Sequence, residues 1–152
     1  MSIVVQKASA TDLDTLYMIE QQCFTTEAWS KRQIAMFLEA LDSVSLTAKV
    51  GSRLVGFVIG LVNQYDEMKL GHIITIDVLP NYRRKGIGMA LLKTIEEEFK
   101  SLDIKVCYLE VRESNLAALR LYRKAGYVEV ERLENYYSRG GHGVRLEKTL
   151  LA

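Results

Sequence analysis

The chain has 152 residues, which fits one domain spanning 1–152 rather than two. Hydrophobic residues make up 49% and charged residues 26%, with 10 Gly and a single Pro, so the composition supports a packed core and excludes a disordered or collagen-like chain. A count of 20 Lys and Arg against 19 Asp and Glu leaves a net charge of +1, without the clustered basic excess of a nucleic-acid binder.

Apolar runs such as Leu54 to Val62 fall short of the ~18 residues a membrane-spanning helix needs. Met1 to Lys7 shows no basic stretch followed by an apolar block, so no secretory signal is expected. The expected setting is cytoplasmic, with neither membrane nor nucleic acid as partner. Cys23 and Cys107 are far apart in sequence and are expected to be buried, inert thiols in a reducing compartment.

In chain order, Ile3 to Lys7 reads as a strand. Thr11 followed by Asp14 resembles a capping box opening a helix with Leu13, Leu16, Ile19 and Cys23 at helical spacing. Ser30 and Gln33 give a second capping signal, before a short helix carrying Ile34, Phe37, Leu38 and Leu41. Phe24 to Trp29 is then a helix–helix loop. Leu46 to Val50 and Leu54 to Asn63, separated by Gly51 and Ser52, predict a hairpin. A polar loop is expected over Tyr65 to Lys69, and a β-branched strand over His72 to Leu79.

From Ile87, the residues Leu91, Leu92, Ile95, Phe99 and Leu102 recur at 3.6 spacing, with Lys93, Glu96, Glu97 and Lys100 on the other face. Val106 to Val111 is a strand, Asn115 to Ala125 a helix closed by Gly126, and Tyr127 onward extended. Gly140, Gly141 and Gly143 predict a flexible turn before a last strand ending near Leu151. The order is strand, two helices, three strands, helix, strand, helix, two strands. That is a mixed α/β (α+β) domain with one βαβ crossover, whose two strands run parallel.

The most informative stretch runs from Ile76 through Pro80, Arg83, Arg84, Lys85, Gly86, Ile87 and Gly88 to Met89: a strand, a basic loop, and two glycines at a helix start. The first amides of a helix have no internal acceptors, and the dipole favours an anion there, so this arrangement suits phosphate. A plain helix start with solvated cations has the same pattern. A P-loop is excluded because Met89 and Ala90 follow Gly88, and a dinucleotide fingerprint because Leu91 stands where its third glycine would be.

Two motifs then carry a resemblance. Arg83-Arg84-Lys85-Gly86-Ile87-Gly88 matches the Arg/Gln-x-x-Gly-x-Gly/Ala signature of the GNAT N-acyltransferase superfamily. Asn115 with Ala118, Leu121, Tyr122, Gly126 and Tyr127 matches that superfamily's second helix motif, in the correct order and with a strand between. Leu109 to Asn115 and Asn135-Tyr136-Tyr137 resemble protein N-terminal acetyltransferases, above all the ribosomal-protein-alanine enzymes and their archaeal relatives.

The resemblance implies a mostly antiparallel central sheet with one splayed parallel pair, flanked by helices, with acetyl-CoA lying in the splay. It implies that backbone groups of Ile76, Asp77 and Val78 pair with the pantetheine arm and that amides from Arg84 to Met89 hold the pyrophosphate beside the cations Arg83, Arg84 and Lys85. Asn115 would contact the cofactor. Phe24, Glu27, Trp29, Tyr136 and Tyr137 would line a groove for a protein or peptide N-terminus, a ribosomal protein being one candidate. The loop lacks the family's usual Pro, and His142-Gly143 replaces the acidic pair that commonly follows the tyrosines.

Transfer to an amine needs one group to accept a proton and another to protonate the leaving thiolate. Tyr122 is the candidate donor, since a phenol of reference pKa ~10 stays protonated at neutral pH. Its competing role is aromatic packing. Glu110 shares the polar face of its strand with Tyr108 and Arg112, and is either solvated there or a base acting directly or through water. An α-amine, with reference pKa ~7.7–8.0, needs only a weak base. Phe24 and Trp29 equally suit a core edge.

His72 and His142 stand alone with no metal-ligand spacing, and no Gly-x-Ser-x-Gly elbow occurs, so no metal and no covalent intermediate are expected. A small amine acceptor or a catalytically silent CoA-binding domain are the alternatives. Oligomeric state, a homodimer included, is open.

Overall fold

The computed structural model describes residues 1–24 and 27–150, and of Arg139 the backbone alone. Residues 25 and 26 of the expected Phe24–Trp29 loop, and the expected end of the last strand near Leu151, lie outside the described residues. In chain order the elements are β1 (Ile3–Lys7), α1 (Leu13–Cys23), α2 (Lys31–Glu39), β2 (Ser43–Val50), β3 (Arg53–Tyr65), β4 (Met68–Val78), α3 (Ile87–Ser101), β5 (Val106–Arg112), α4 (Leu116–Lys124), β6 (Val128–Tyr137) and β7 (Gly141–Thr149). The seven strands form one sheet in the order β1-β2-β3-β4-β5-β7-β6. Every neighbouring pair is antiparallel except β4 and β5, the two strands joined through α3. The mixed α/β class and the single parallel crossover are as expected.

Helix ends follow their capping chemistry. Ser30 Oγ accepts the Gln33 N–H at 3.1 Å while Gln33 Oε1 accepts the Ser30 N–H at 2.9 Å, the reciprocal pair that starts α2. The first cap falls upstream of Thr11. Asp12 Oδ2 accepts the Ser9 N–H at 2.9 Å across a 3-10 turn, because Asp12 stands three residues after Ser9 whereas Asp14 pairs with Lys31. Leu41 and Leu102, expected to extend apolar helix faces, lie beyond the ends of α2 and α3 and are exposed.

Two expected loops are shorter than their polarity suggested. β3 and β4 pair out to Tyr65 and Met68, leaving Asp66 and Glu67 as a two-residue turn with Asp66 at φ 52°. Ladder pairing keeps Gln64, Tyr65, Met68 and Lys69 extended. Gly141 and Gly143 belong to β7, where close approach explains the glycines: a Cβ on Gly141 would strike the Arg112 guanidinium, and one on Gly143 would lie 2.9 Å from the Tyr137 ring.

The core fills both faces of the sheet. On one face α3 buries Ile87, Leu91, Leu92, Ile95 and Phe99, each worth roughly 1.5–3 kcal/mol of burial. A Cβ on Gly56 would meet Ile87 and Leu91, so Gly56 and its register partner Val78 share the α3 face. Asp77 then points to the other face, where α1 and α2 bury Leu16, Ile19 and Ile34. Glu96 departs from its periodicity. It is 5% exposed, because Lys148 and Tyr127 reach it at 2.7 and 2.8 Å. Among the described residues no helix is long and apolar enough to cross a membrane.

Candidate active site

The site begins where the parallel pair comes apart. β4 and β5 are in register only over Leu70–Val106, Gly71–Cys107 and His72–Tyr108, although β4 continues to Val78 and β5 to Arg112. On the other edge of β4, the register with β3 steps from Ile59–Thr75 to Gly60–Ile73, leaving Ile74 unmatched. Such a bulge bends its strand and raises local twist, which carries the end of β4 away from β5. Main-chain groups of the segment holding Ile76, Asp77 and Val78 therefore lack a β5 partner. The Val78 carbonyl is partly used, accepting Arg83 Nε at 2.9 Å and lying 3.5 Å from Cys23 Sγ.

Directly after β4 the chain forms the basic turn. Arg84 at φ 62° and Gly86 at φ 85° swing the backbone into α3, with Gly86 as its N-cap. The first helical bond is Ala90 N–H to the Gly86 carbonyl at 3.0 Å, so the N–H groups of Ile87, Gly88 and Met89 have no helical acceptor. A Cβ on Gly86 would meet nothing within 4 Å, so the approach to these amides is open. Arg83, Arg84 and Lys85 are exposed, and none is ion-paired to a described carboxylate. The Ile87 side chain is buried and Gly88 lies under Leu121, so these two positions offer main-chain groups only.

A cavity of about 420 Å³ fills the splay. Its walls are Ile73 to Ile76 of β4, Leu109 to Arg112 of β5, Asn115, Ala118 and Tyr122 at α4, and Glu20, Phe24, Glu27, Trp29, Tyr136 and Tyr137. Trp29 stands edge-on to Phe37 at 5.0 Å, so it both lines the cavity and closes the edge of the α1–α2 core. Glu27 is ion-paired to Arg112, whose guanidinium lies 5.3 Å over the Tyr137 ring. Tyr136 stands edge-on to Tyr137 at 5.0 Å and is half exposed. Asn115 Oδ1 accepts the Ala118 N–H at 3.2 Å and so caps α4.

Two groups in this cavity can move or hold protons. Tyr122 is 6% exposed, and its hydroxyl makes no hydrogen bond to a described residue. Burial pushes its pKa up, so it remains a phenol throughout the neutral range. Glu110 is far from solvated: Oε1 lies 2.7 Å from His72 Nε2, and Oε2 accepts Arg145 Nε at 2.9 Å. Burial raises its pKa, but the His72 and Arg145 hydrogen bonds outweigh that and leave it lowered, so Glu110 is a carboxylate. His72 also stacks on Tyr108, with centroids 4.3 Å apart.

A model of the acetyltransferase (GNAT) family matches residues 13–127. The chain belongs to the GNAT acetyltransferase family. It is 32% identical over 145 residues to an N-alpha-acetyltransferase of Sulfurisphaera tokodaii, covering 90% of this chain and 86% of that protein. To the Escherichia coli alanine N-acetyltransferase of ribosomal protein bS18 it is 34% identical over 134 residues, covering 88% and 86%. The solved structure of Ard1 from Thermoplasma volcanium superposes with a TM-score of 0.88 at 25% identity, covering 100% of both chains. The chain is accordingly an acetyl-CoA-dependent N-acetyltransferase.

Five polar groups in or beside this acetyltransferase's cavity were not singled out from sequence: Glu20, Thr75 and Arg112 in its lining, and His72 and Arg145 against Glu110. Glu20 did leave a signal, a carboxylate four residues after Leu16 on the apolar stripe of α1. His72 reads as isolated in the sequence because Glu110 is 38 residues away, and the β4–β5 register joins them. Neither cysteine offers a thiolate, since burial pushes both Cys23 and Cys107 up to about 11. Among the described residues there is no group of three His, Cys, Asp or Glu that could hold a metal.

Proposed function

We propose that the acetyltransferase moves the acetyl group of acetyl-CoA to the N-terminal α-amine of a protein or peptide, by direct attack with both substrates bound. The observation that carries this reading is the placement of Tyr122 and the His72-bound Glu110 in the walls of one cavity, inside the β4–β5 splay. Amides from Arg84 to Met89, flanked by the three exposed cations, would hold the pyrophosphate. The open edge of Ile76, Asp77 and Val78 would pair with the pantetheine, placing the thioester at the cavity. Asn115, already committed through Oδ1 to its cap, retains its amide N–H groups for the cofactor.

The proton steps divide between the two walls. Glu110, a carboxylate in the cavity wall, takes the amine proton directly or through water. His72 and Arg145 hold that carboxylate in place. Tyr122 donates a hydrogen bond to the leaving sulfur. Its raised pKa makes complete transfer of that proton harder than the reference value implied.

Phe24, Glu27, Trp29, Tyr136 and Tyr137 would frame the first residues of the acceptor. Glu27 is ion-paired to Arg112 and Glu110 to Arg145, so neither is a free anion to hold a polyamine. A ribosomal protein is one candidate acceptor, because the Escherichia coli relative acts on one. The test is incubation with labelled acetyl-CoA and short peptides varied at their first two residues, beside spermidine and free lysine. Label on peptide α-amines is expected. Label on spermidine alone, or tight CoA binding with no transfer, would overturn the proposal.

A further inference from the structure

On the α1 face of β4 lie two carboxylates that the transfer scheme leaves unused. Glu20 is 1% exposed and Asp77 2%. Glu20 Oε2 accepts the main-chain N–H of Trp29 at 3.0 Å, and its Oε1 is 3.4 Å from Thr75 Oγ1. Thr75 donates the better bond elsewhere, to Asp77 Oδ1 at 2.7 Å. A hydroxyl has a single hydrogen, so Glu20 Oε1 is short of a donor. Asp77 Oδ2 is buried and accepts no hydrogen bond from a described donor. Both deficits vanish if Asp77 carries a proton and donates it to Glu20.

The surroundings favour that proton. Neither carboxylate is ion-paired to a described cation, in contrast to Glu110 and Glu96. Asp77 is faced by Glu20 and the Cys23 thiol from α1, by Thr75 from its own strand, by Arg83 from the turn, and by Tyr122 from α4. Burial, then Glu20, raise its pKa well above the carboxylate range, and Thr75 and Arg83 only partly oppose this. Cys23 and Tyr122 stay neutral across the pH range that matters.

We propose that Asp77 and Glu20 share one proton and act as positioning residues, a latch that fastens the loop bearing Trp29 to the cofactor strand. With the proton in place the pair carries one negative charge, and Glu20 holds the Trp29 N–H. Loss of the proton sets two anions against each other in a dry site, and the repulsion is relieved when Glu20 gives up its contacts and frees the loop. The loop's role in holding an acceptor rests on the function proposed above. The shared proton does not.

Trp29 is the only Trp in the chain, so its emission reports the latch without need of catalysis. The experiment follows Trp29 fluorescence and the carboxylic C=O infrared band of the whole protein from about pH 6 to about pH 10, a window that spans strongly raised buried carboxyls. The wild type is expected to show the band near neutrality and to lose it together with a shift in emission. Asp77→Asn, whose amide supplies a permanent donor to Glu20, should lack the band and keep its neutral-pH emission throughout. Glu20→Ala should show the released emission at every pH.

Absence of the band from the wild type near neutrality, which needs no variant to fold, would overturn the shared proton. An Asp77→Asn emission curve that titrates like the wild type would overturn the latch. Where a peptide is acetylated, its KM in the wild type relative to Asp77→Asn should rise roughly threefold or more across the same window, a ratio that cancels the amine's own titration. If no peptide is acetylated, the proposed acceptor fails while the band and emission still decide the latch.

Discussion

The basic turn from Pro80 to Met89 is one continuous segment, whereas the cavity wall gathers Trp29, Ile74, Glu110, Tyr122 and Tyr137 from five places in the chain. The two walls also differ in charge. Arg83, Arg84 and Lys85 have no described carboxylate partner, while Glu27 is tied to Arg112, and Glu110 to His72 and Arg145. A wall of free cations and unpaired amides attracts a polyanion. Pairing Glu27 and Glu110 with cations weakens their hold on an ammonium ion and suits an amine that must lose its proton before it reacts.

The sharpest way to break the proposed cofactor wall is Gly86→Glu. It sets a carboxylate at the open mouth of the amides and forces a side chain onto φ 85°, a strain of about 1–2 kcal/mol. Calorimetry is expected to detect no CoA binding to the folded variant. Normal affinity would remove the phosphate role from the turn. Next in size, Tyr122→Phe should lower kcat by about tenfold or more with CoA affinity nearly unchanged, because it deletes a donor and little packing. An unchanged kcat would leave Tyr122 as a packing residue.

On the acceptor wall, Glu110→Gln keeps the shape and removes the charge that holds His72 and Arg145. The rate loss should be several-fold and greatest at low pH, where neutral amine is scarce and the base matters most. A loss uniform across pH would mark a structural role. The folded pKa of Glu110 is lowered, so its stabilising contribution is present above the unfolded value of ~4.3 and disappears as pH falls through the folded value. The stability difference between wild type and Glu110→Gln, followed by urea unfolding, should therefore shrink on acidification below about pH 4.3.

The same contrast explains what could be read from the sequence. The Arg83–Gly88 turn, the Ser30–Gln33 cap and the αβ order are local, set by residues a few positions apart, and so they were visible. The bulge at Ile74, the early end of β4–β5 pairing and the His72–Glu110 contact depend on register between strands, which no local pattern carries. Glu96 shows the limit from another side. Its helical position reads as solvent-facing, and only Tyr127 and Lys148, arriving from 31 and 52 residues away, make burial affordable.

Gly86 and Gly88 look equivalent in sequence, and the smallest predicted effect separates them. Gly86 is needed for its left-handed φ, with open space above it; Gly88 lies in α3, where a Cβ would come 3.1 Å from Leu121 Cδ2 of α4. Alanine at a helical position gains about 0.5–1 kcal/mol over glycine. The Leu121 methyl is the end of a flexible side chain and needs to move only a few tenths of an ångström, which offsets part of that gain. Gly88→Ala should thus leave stability within about 1 kcal/mol, a Tm change of roughly 2–4 °C at most for a chain of this size. A loss well beyond that, measured by thermal unfolding, would mean that Leu121 is pinned and that the α3–α4 contact, rather than the turn alone, sets the geometry of the anion site.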